Sequence, residues 1–324
     1  MPKPEASHPW LAKYCLQWAV CLLGTLKWRM ILADAKGAEG LSMTAGLILI
    51  GLGPGGISGM TRAAIKAATQ ADIRLYEAYT ALWSESDLTQ LEAEIGEITK
   101  VMRPAVEAPQ KILDLAKTNS VAILVVGDPL QATTHVDLQL QAEEGGVDCE
   151  VIHGLSITGL VTGAIGLSNY KFGRQTTLTY PYGGWIATSP LEVISLNRIQ
   201  GLHTLCLLDL DPTGSGTGDQ RPMQPKDAQS AIMAMAKKLE GSIGVGEHNS
   251  NLERLKFEAS MNICREIADL EVILCTDMGG PNQSILFTNL ADLHLGPEGG
   301  LHCIVIPASL NEVEQKALIR WTKE

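Results

Sequence analysis

A glycine-rich loop, Gly51-Leu-Gly-Pro-Gly-Gly56, carries the first chemical signal in this chain of 324 residues. The loop follows a short apolar run and has the spacing G-x-G-x-x-G, which lets backbone approach a ligand closely and lets the next helix offer free N–H groups. Glu77 follows at about the distance where a dinucleotide-binding protein keeps its ribose-binding acid. The pattern alone suggests an NAD-binding loop. Pro54 argues against NAD, because it restricts the backbone of the loop where dinucleotide binding requires conformational freedom. A plain tight turn between a strand and a helix is the other interpretation.

A second loop, Gly127-Asp-Pro-Leu-Gln-Ala-Thr-Thr-His135, follows another apolar run. Asp128 can accept hydrogen bonds from a ribose or an amino group, although Asp-Pro is also a common turn pair. His135 is either a proton acceptor or simply the residue at which a helix starts. The sequence leaves both alternatives open.

A third segment, His153-Gly-Leu-Ser-Ile-Thr-Gly159, also follows an apolar strand pattern. Backbone groups at Ser156 and Ile157 could contact an adenine ring or a methionine tail. Ser156 could equally be only the N-cap of a helix.

These three loops need a framework of strands, which the apolar pattern predicts. Continuous apolar runs alternate with helical patterns, as in a parallel sheet covered on both faces. The predicted strands are residues 47–50, 72–76, 121–126 and 149–152, and the predicted helices are 61–71, 86–95 (with Ser86 and Asp87 as candidate caps), 109–118 and 136–144. In such a sheet, ligands bind beyond the carboxyl ends of the strands, where all three loops lie.

The pattern of the second half of the sequence predicts an α/β domain of mixed strand direction. Its predicted strands are residues 176–180, 204–210, 271–276 and 302–307, its predicted helices are 226–239 and 311–323, and residues 211–220 are predicted to form a mobile loop. We therefore expect an N-terminal domain over residues 47–154 and a C-terminal domain over residues 155–324.

Residues 1–46 do not match this pattern and are expected to be an atypical extension without function. A signal peptide is conceivable there, but no convincing cleavage site follows the apolar stretch. The net charge of −11 and the absence of a Lys/Arg cluster argue against nucleic-acid binding. No apolar stretch is long enough to span a membrane comfortably. The seven cysteines show no metal-binding spacing, so we expect buried thiols, a cytoplasmic location and no metal.

Taken together, the loops resemble the tetrapyrrole methylase superfamily, and within it the diphthine synthase family. The segments that carry the resemblance lie between residues 47 and 310 and are YEAYTALW (76–83), GDPLQATTH (127–135), YKFGRQTTLTYPYGGWIATSP (170–190) and GLHTLCLLDLD (201–211). The resemblance implies two α/β domains, a parallel-sheet N-terminal one and a mixed-sheet C-terminal one, with S-adenosylmethionine in the cleft between them. The implied cofactor contacts are Pro54, Asp128, Gln131, Ser156, Ile157, Leu208, Met278 and His302. Near Met278 the sequence departs from the family, because the usual L-A-R-x-G is replaced by Leu274-Cys-Thr-Asp-Met-Gly279.

The resemblance also implies a reaction and a partner. The substrate would be elongation factor 2, whose modified histidine is methylated on its amino group to give diphthine, and the enzyme would be a homodimer. Glu77 and His135 are candidate proton acceptors by position. Two alternatives remain: a methyltransferase of the same superfamily acting on a corrinoid or tetrapyrrole precursor, and a non-catalytic binding homologue.

Overall fold

The computed structural model describes residues 44–218, 220–241 and 250–322. Most of the predicted extension, residues 1–43, lies outside the described residues. The first half of the described chain contains five strands: β1 (Gly46–Gly53), β2 (Ile73–Glu77), β3 (Thr99–Val101), β4 (Ser120–Val126) and β5 (Cys149–Ile152). Its helices are α1 (Arg62–Gln70), α2 (Glu85–Ile95), α3 (Arg103–Glu107), α4 (Gln110–Ala116) and α5 (His135–Glu144).

The five strands form one parallel sheet in the order β3-β2-β4-β1-β5. Successive residues of β1 face opposite sides, so Ile48 and Ile50 pack against α1 and α2 while Leu47 and Leu49 pack against α4 and α5. Both faces of the sheet are therefore covered, which explains why β1 and β4 are continuous apolar runs.

The second half contains five more strands and five helices. They are β6 (Thr176–Leu178), β7 (Thr204–Leu208), β8 (Glu271–Thr276), β9 (Ser284–Asn289) and β10 (His302–Ile306), with α6 (Ile157–Ala164), α7 (Ser189–Ile199), α8 (Pro225–Gly241), α9 (Asn251–Arg265) and α10 (Glu312–Ile319). Short 3₁₀ helices cover Ile57–Gly59, Asn169–Lys171, Ile267–Asp269 and Leu290–Leu295. The sheet order is β6-β7-β10-β8-β9, with β6 and β7 parallel and the other pairs antiparallel.

A parallel first sheet and a mixed second sheet confirm the predicted fold class. The second sheet is also covered on both faces, by α7, α8 and α9 on one side and by α6 and α10 on the other. The predicted cap of α2 was wrong. Ser84, rather than Ser86 or Asp87, caps α2, because its hydroxyl accepts from the Asp87 N–H. The pattern also missed β3, β9 and the helices α3, α7 and α9, and it indicated α6 only through Ser156 as a possible N-cap.

Within the described ranges, no helix is both long enough and apolar enough to cross a membrane.

Candidate active site

Three glycines bring the three predicted loops into direct contact at the carboxyl ends of β1, β4 and β5. A Cβ on Gly51 would lie 2.7 Å from both the Gly127 oxygen and the Gly154 Cα, which no real side chain can do. The Gly53 N–H also donates to the Gly127 oxygen at 3.0 Å. Gly51 and Gly154 are thus required by the close packing of backbone against backbone.

The loops after β1 and β4 lie at a topological switch point of the sheet. These strands are neighbours, but the helices that follow them pack on opposite faces: α1 on one and α5 on the other. In open parallel sheets, ligands bind in the crevice that opens where adjacent chains diverge in this way.

Asp128 lies in the second loop with its carboxylate already oriented. One oxygen accepts from the Leu130 N–H at 3.0 Å, which is the turn expected of an Asp-Pro pair, and the other lies 2.8 Å from Nδ1 of His153. Asp128 is buried, whereas His153 is exposed. Gln131, three residues along, is exposed at the same loop. The structural role of Asp128 and a role in ligand binding are compatible, because each carboxylate oxygen can accept more than one hydrogen bond.

Ser156 and Ile157 stand at the start of α6. The Ser156 hydroxyl accepts from the Thr158 N–H at 3.2 Å, so the N-cap interpretation is confirmed. Ile157 packs in the same apolar cluster as Met278, a residue of the loop between β8 and β9. The first turn of α6 therefore lies beside the second sheet, while the loop that leads into it contacts the end of β1 through Gly154.

The second sheet contributes an edge built by three adjacent strands. His302 begins β10, and its Nδ1 lies 3.0 Å from the Thr276 hydroxyl at the end of β8. Its Nε2 is buried without a hydrogen-bond partner within the described chain, and burial lowers the pKa of the ring. The register that pairs Cys303 with Leu207 places Leu208 alongside His302. The side chain of Leu208 is buried in the core, so any ligand contact falls to its backbone.

The loop around Met278 meets the first glycine-rich loop. A Cβ on Gly279 would lie 3.1 Å from the Pro54 oxygen and 3.3 Å from the Pro54 ring. Met278 itself is buried, and Asp277 accepts a hydrogen bond from the Leu301 N–H at 2.8 Å. The structure therefore joins Pro54, Ile157 and Met278 into one region. The side chain of Leu208 packs in a different apolar cluster from Ile157 and Met278, and the side chain of Gln131 is exposed.

Glu77, at the end of β2, is fully buried and partly unpartnered. Its Oε1 accepts from the Thr80 N–H at 2.9 Å and from the Thr80 hydroxyl at 2.7 Å, while Oε2 has no partner in the part of the chain that the structure describes. Burial raises the pKa of Glu77 to about 7, although the Thr80 hydrogen bonds and the charge of Arg103 act against the rise. Such a carboxyl can exchange a proton at neutral pH.

His135 is the first residue of α5, and it is also buried. Its Nδ1 lies 2.9 Å from the Pro129 carbonyl oxygen, so Nδ1 carries the proton and Nε2 is left as an acceptor. Nε2 has no partner among the described residues, and burial lowers the pKa of the ring. His135 and Glu107 line a cavity of about 290 Å³.

Two residues that the sequence analysis did not identify, Tyr79 and Arg103, also lie in this region. Tyr79 is buried with its hydroxyl unpartnered, and the guanidinium of Arg103 lies 5.0 Å from its ring centroid. Arg103 also forms an ion pair with Glu107 at 3.3 Å. Tyr79 belongs to the motif YEAYTALW and could have been found there, whereas Arg103 follows β3, which the apolar pattern missed.

Comparisons with known proteins agree with this architecture. Residues 46–294 match the family model described as Tetrapyrrole (Corrin/Porphyrin) Methylases. The diphthine synthase of Methanoregula boonei is 30% identical over 85% of this chain and 98% of its own length, and that of Methanocorpusculum labreanum is 31% identical over the same shares. A crystal structure of diphthine synthase superposes with a TM-score of 0.68 at 26% identity, over 85% of this chain and 95% of its own.

Proposed function

Because the chain belongs to the tetrapyrrole methylase family and, within it, to the diphthine synthases, we propose that it transfers methyl groups from S-adenosylmethionine to the modified histidine of elongation factor 2. The acceptor is the amino group of the aminocarboxypropyl substituent on that histidine, and the product is diphthine. The observation that carries the proposal is the match over 98% of the length of two diphthine synthases.

The residues at the joined loops fit S-adenosylmethionine. At Gly127 nothing lies within 4 Å of the Cβ position, so a ligand has room against the main chain at the start of the second loop, whereas Gly51 and Gly154 pack backbone against backbone. The buried, unpartnered Nε2 of His302 needs a polar partner, which a nucleoside with an amino-acid tail can supply. The residues proposed to hold the cofactor are Pro54, Asp128, Gln131, Ser156, Ile157, Leu208, Met278 and His302. When bound, S-adenosylmethionine supplies a methyl group that is already activated by a positively charged sulfur.

The protein's own part is mainly alignment and proton removal. In-line displacement requires the amine and the methyl group to be held in line at close range. The amine must also be neutral, because an ammonium has no lone pair with which to attack. Glu77 and His135 are the candidate acceptors of its proton, since each has one buried acceptor atom without a partner in the described structure. Exclusion of water from the same edge favours the neutral amine.

The experiment that tests this function is methyl transfer from labelled S-adenosylmethionine to purified elongation factor 2 that carries the unmethylated precursor, followed by mass spectrometry. Three added methyl groups at the histidine indicate the trimethyl product, and four indicate an additional ester on the carboxylate. Cofactor binding without transfer would redirect the search to tetrapyrrole substrates. Loss of cofactor binding altogether would favour a non-catalytic homologue.

Asp128 offers a sharper test of the cofactor site. The substitution Asp128→Ala removes a buried carboxylate that holds His153 and follows Gly127, so we expect S-adenosylmethionine affinity to fall about 10-fold or more by calorimetry. Asp114→Ala, on the exposed surface of α4, is the control and should bind as the wild type does. Unchanged affinity in Asp128→Ala would remove this residue from the site.

The remaining assignments rest on family membership. We propose a homodimer that works in the cytoplasm, with an N-terminal domain over residues 47–154 and a C-terminal domain over residues 155–324. Light scattering of the purified protein measures the oligomeric state directly.

A further inference from the structure

Three neighbouring polar side chains at the ends of β2 and β3 have atoms that lack hydrogen-bond partners in the described part of the molecule. They are Oε2 of Glu77, the hydroxyl of Tyr79 and Nε of Arg103, all buried at the atom in question. Buried polar atoms are nearly always paired, so a group of unpaired ones calls for a ligand or another explanation. Glu77 and Tyr79 are at least nine-tenths buried, so solvent does not supply the missing partners.

The chemistry of these side chains is complementary to a zwitterion. A carboxylate accepts hydrogen bonds from an amine, while a phenol and a guanidinium donate hydrogen bonds to a carboxylate. We propose that Glu77, Tyr79 and Arg103 form the methyl-acceptor subsite, in which Glu77 binds the amine and Tyr79 with Arg103 binds the carboxylate of an amino-acid tail. The proposal rests on the proposed function, since the aminocarboxypropyl group carries both an amine and a carboxylate.

The strand order separates this subsite from the proposed cofactor site. In the order β3-β2-β4-β1-β5, the cofactor loops follow β4, β1 and β5, whereas Glu77, Tyr79 and Arg103 follow β2 and β3. The loop after β4, which ends at His135, is the cofactor loop nearest the subsite, because β4 is the neighbour of β2. The acceptor subsite therefore adjoins the proposed cofactor site along one edge of the sheet, as transfer between two bound groups requires.

Neighbouring contacts hold the acceptor side chains in place. Thr80 occupies only Oε1 of Glu77 and leaves Oε2 for a ligand. The Trp83 N–H donates to the Tyr76 hydroxyl at 2.9 Å, and the Trp83 indole donates to the Gly53 oxygen at 3.0 Å, so the turn that carries Glu77 and Tyr79 is tied to the first glycine-rich loop.

A segment of the second half covers the same turn. The Arg103 N–H donates to the Gly216 oxygen at 3.2 Å, and the Gln220 amide donates to the Ala78 oxygen at 2.9 Å. Asp211 orders this segment, because its carboxylate accepts from the N–H groups of Thr213 and Gly216. The loop predicted to be mobile is thus anchored to the first half at two points, beside the proposed subsite.

The proton balance of the reaction fits a single carboxylate. The substrate ammonium gives one proton to Oε2 of Glu77, and the freed lone pair then forms the N–C bond as the C–S bond breaks and sulfur keeps the electron pair. The methylated ammonium has a proton to lose before each further transfer, and Glu77 releases each proton to solvent between transfers. The third transfer gives a quaternary ammonium with no proton left to lose.

The test compares three substitutions, Tyr79→Phe, Glu77→Gln and Arg103→Met, in the full chain with elongation factor 2 as acceptor. We expect Tyr79→Phe and Arg103→Met each to lower kcat/KM for the acceptor about 10-fold or more, because each removes hydrogen bonds to a charged group. We expect Glu77→Gln to lower kcat about 100-fold or more and to remove the acid limb of the pH–rate profile. S-adenosylmethionine affinity should stay at the wild-type value in all three variants.

Matched controls come from the surface. Tyr170→Phe, Glu85→Gln and Arg254→Met make the same chemical changes at exposed positions and should transfer methyl groups as the wild type does. Tyr79→Phe guards against misfolding as an explanation, because the hydroxyl it removes has no partner to lose in the described structure. Its thermal midpoint should not fall.

The outcomes separate this inference from the proposed function. If the wild-type protein itself transfers no methyl group to elongation factor 2, the proposed function fails. If the wild type is active and the three variants match it, the acceptor subsite is wrong. Weakened S-adenosylmethionine binding in the variants would also overturn the inference, since it would place these residues on the donor side.

Discussion

Gly55 and Gly279 lie in backbone contact, so that a Cβ on Gly55 would overlap the Gly279 carbonyl group. Gly55 belongs to the loop after β1 in the parallel sheet, and Gly279 belongs to the loop between β8 and β9 in the mixed sheet. These two loops, one from each sheet, thus meet at a point where a side chain on Gly55 has no room. Pro54 and Met278, both proposed to contact the cofactor, are the immediate neighbours of these glycines.

Gly55→Ala should therefore destabilise the protein through two separate effects. Gly55 has a φ of +80°, where an alanine costs about 1–2 kcal/mol, and the overlap with Gly279 adds about 1–3 kcal/mol of overpacking. Gly146→Ala is the control, because Gly146 has a φ of +67° but nothing within 4 Å of its Cβ position. Urea denaturation measures both variants. An equal decrease in the free energy of unfolding of the two variants would mean that the contact between Gly55 and Gly279 adds no penalty.

Glu77 should make the protein less stable as pH rises. Its pKa is raised from 4.5 to about 7 by burial, so the folded state holds the proton more tightly than the unfolded state does. The stabilisation is complete below pH 4.5 and is lost as pH rises through 7, and the shift corresponds to about 3 kcal/mol. Glu77→Gln should therefore be more stable than the wild type at pH 8, by up to that amount, and about equal to it at pH 4.

The exposed Glu85→Gln is the control, and its stability relative to the wild type should not change with pH. If the stabilities of the wild type and Glu77→Gln changed in parallel with pH, the raised pKa of Glu77 would be contradicted. A residue that destabilises the fold at working pH is typical of a functional site.

Glu314 should make the protein less stable as pH falls. Burial alone would raise its pKa, but hydrogen bonds from Lys171, Asn311, Ser168 and His203 outweigh that effect and lower the pKa to about 2. Its stabilisation is present above about pH 4.5 and is lost as pH falls toward 2. Glu314→Gln breaks this buried network and should cost about 3–5 kcal/mol at pH 7, with a smaller difference near pH 2.5.

The matched control for that substitution lies two residues away. Glu312→Gln, in the same first turn of α10, alters an 80% exposed carboxylate and should change stability by about 1 kcal/mol or less. If both variants lost the same free energy of unfolding at pH 7, the hydrogen bonds around Glu314 would contribute no more than any carboxylate in the first turn of α10.

The sequence predicted the elements whose pattern is local and missed those defined by tertiary contacts. The strands β1 and β4 are continuous apolar runs ended by glycine, so both the strands and the loops that follow them could be located. The strand β3 has only three residues, two of them exposed, and no apolar run to mark it. Arg103, which follows β3, was missed for the same reason.

The composition of the site was less predictable than its position. The pairing of His153 with Asp128 joins residues 25 positions apart, and nothing in either loop alone indicates it. The unpartnered atoms of Glu77 and Tyr79 become visible only when every neighbouring hydrogen bond is known. Glu77 itself was identified because it ends a strand, which is a local signal.

A chain that begins at Met43 should retain full methyltransferase activity. The family model begins at residue 46, and a relative is matched over 98% of its own length by only 85% of this chain. The first described backbone contact of the core is the hydrogen bond from the Gly46 N–H to the Asn119 oxygen, so nothing in β1 is lost by this truncation. A second truncation, beginning at Leu49, is the control. It removes Leu47 and Ile48, which are buried on opposite faces of the sheet, and the loss of two such side chains, about 2–5 kcal/mol each, should unfold the protein. Methyl transfer and thermal melting of both chains decide the matter: an inactive chain from Met43 would mean that the preceding residues have a role in the reaction, whereas equal activity with the full chain would assign the whole function to residues 43–324.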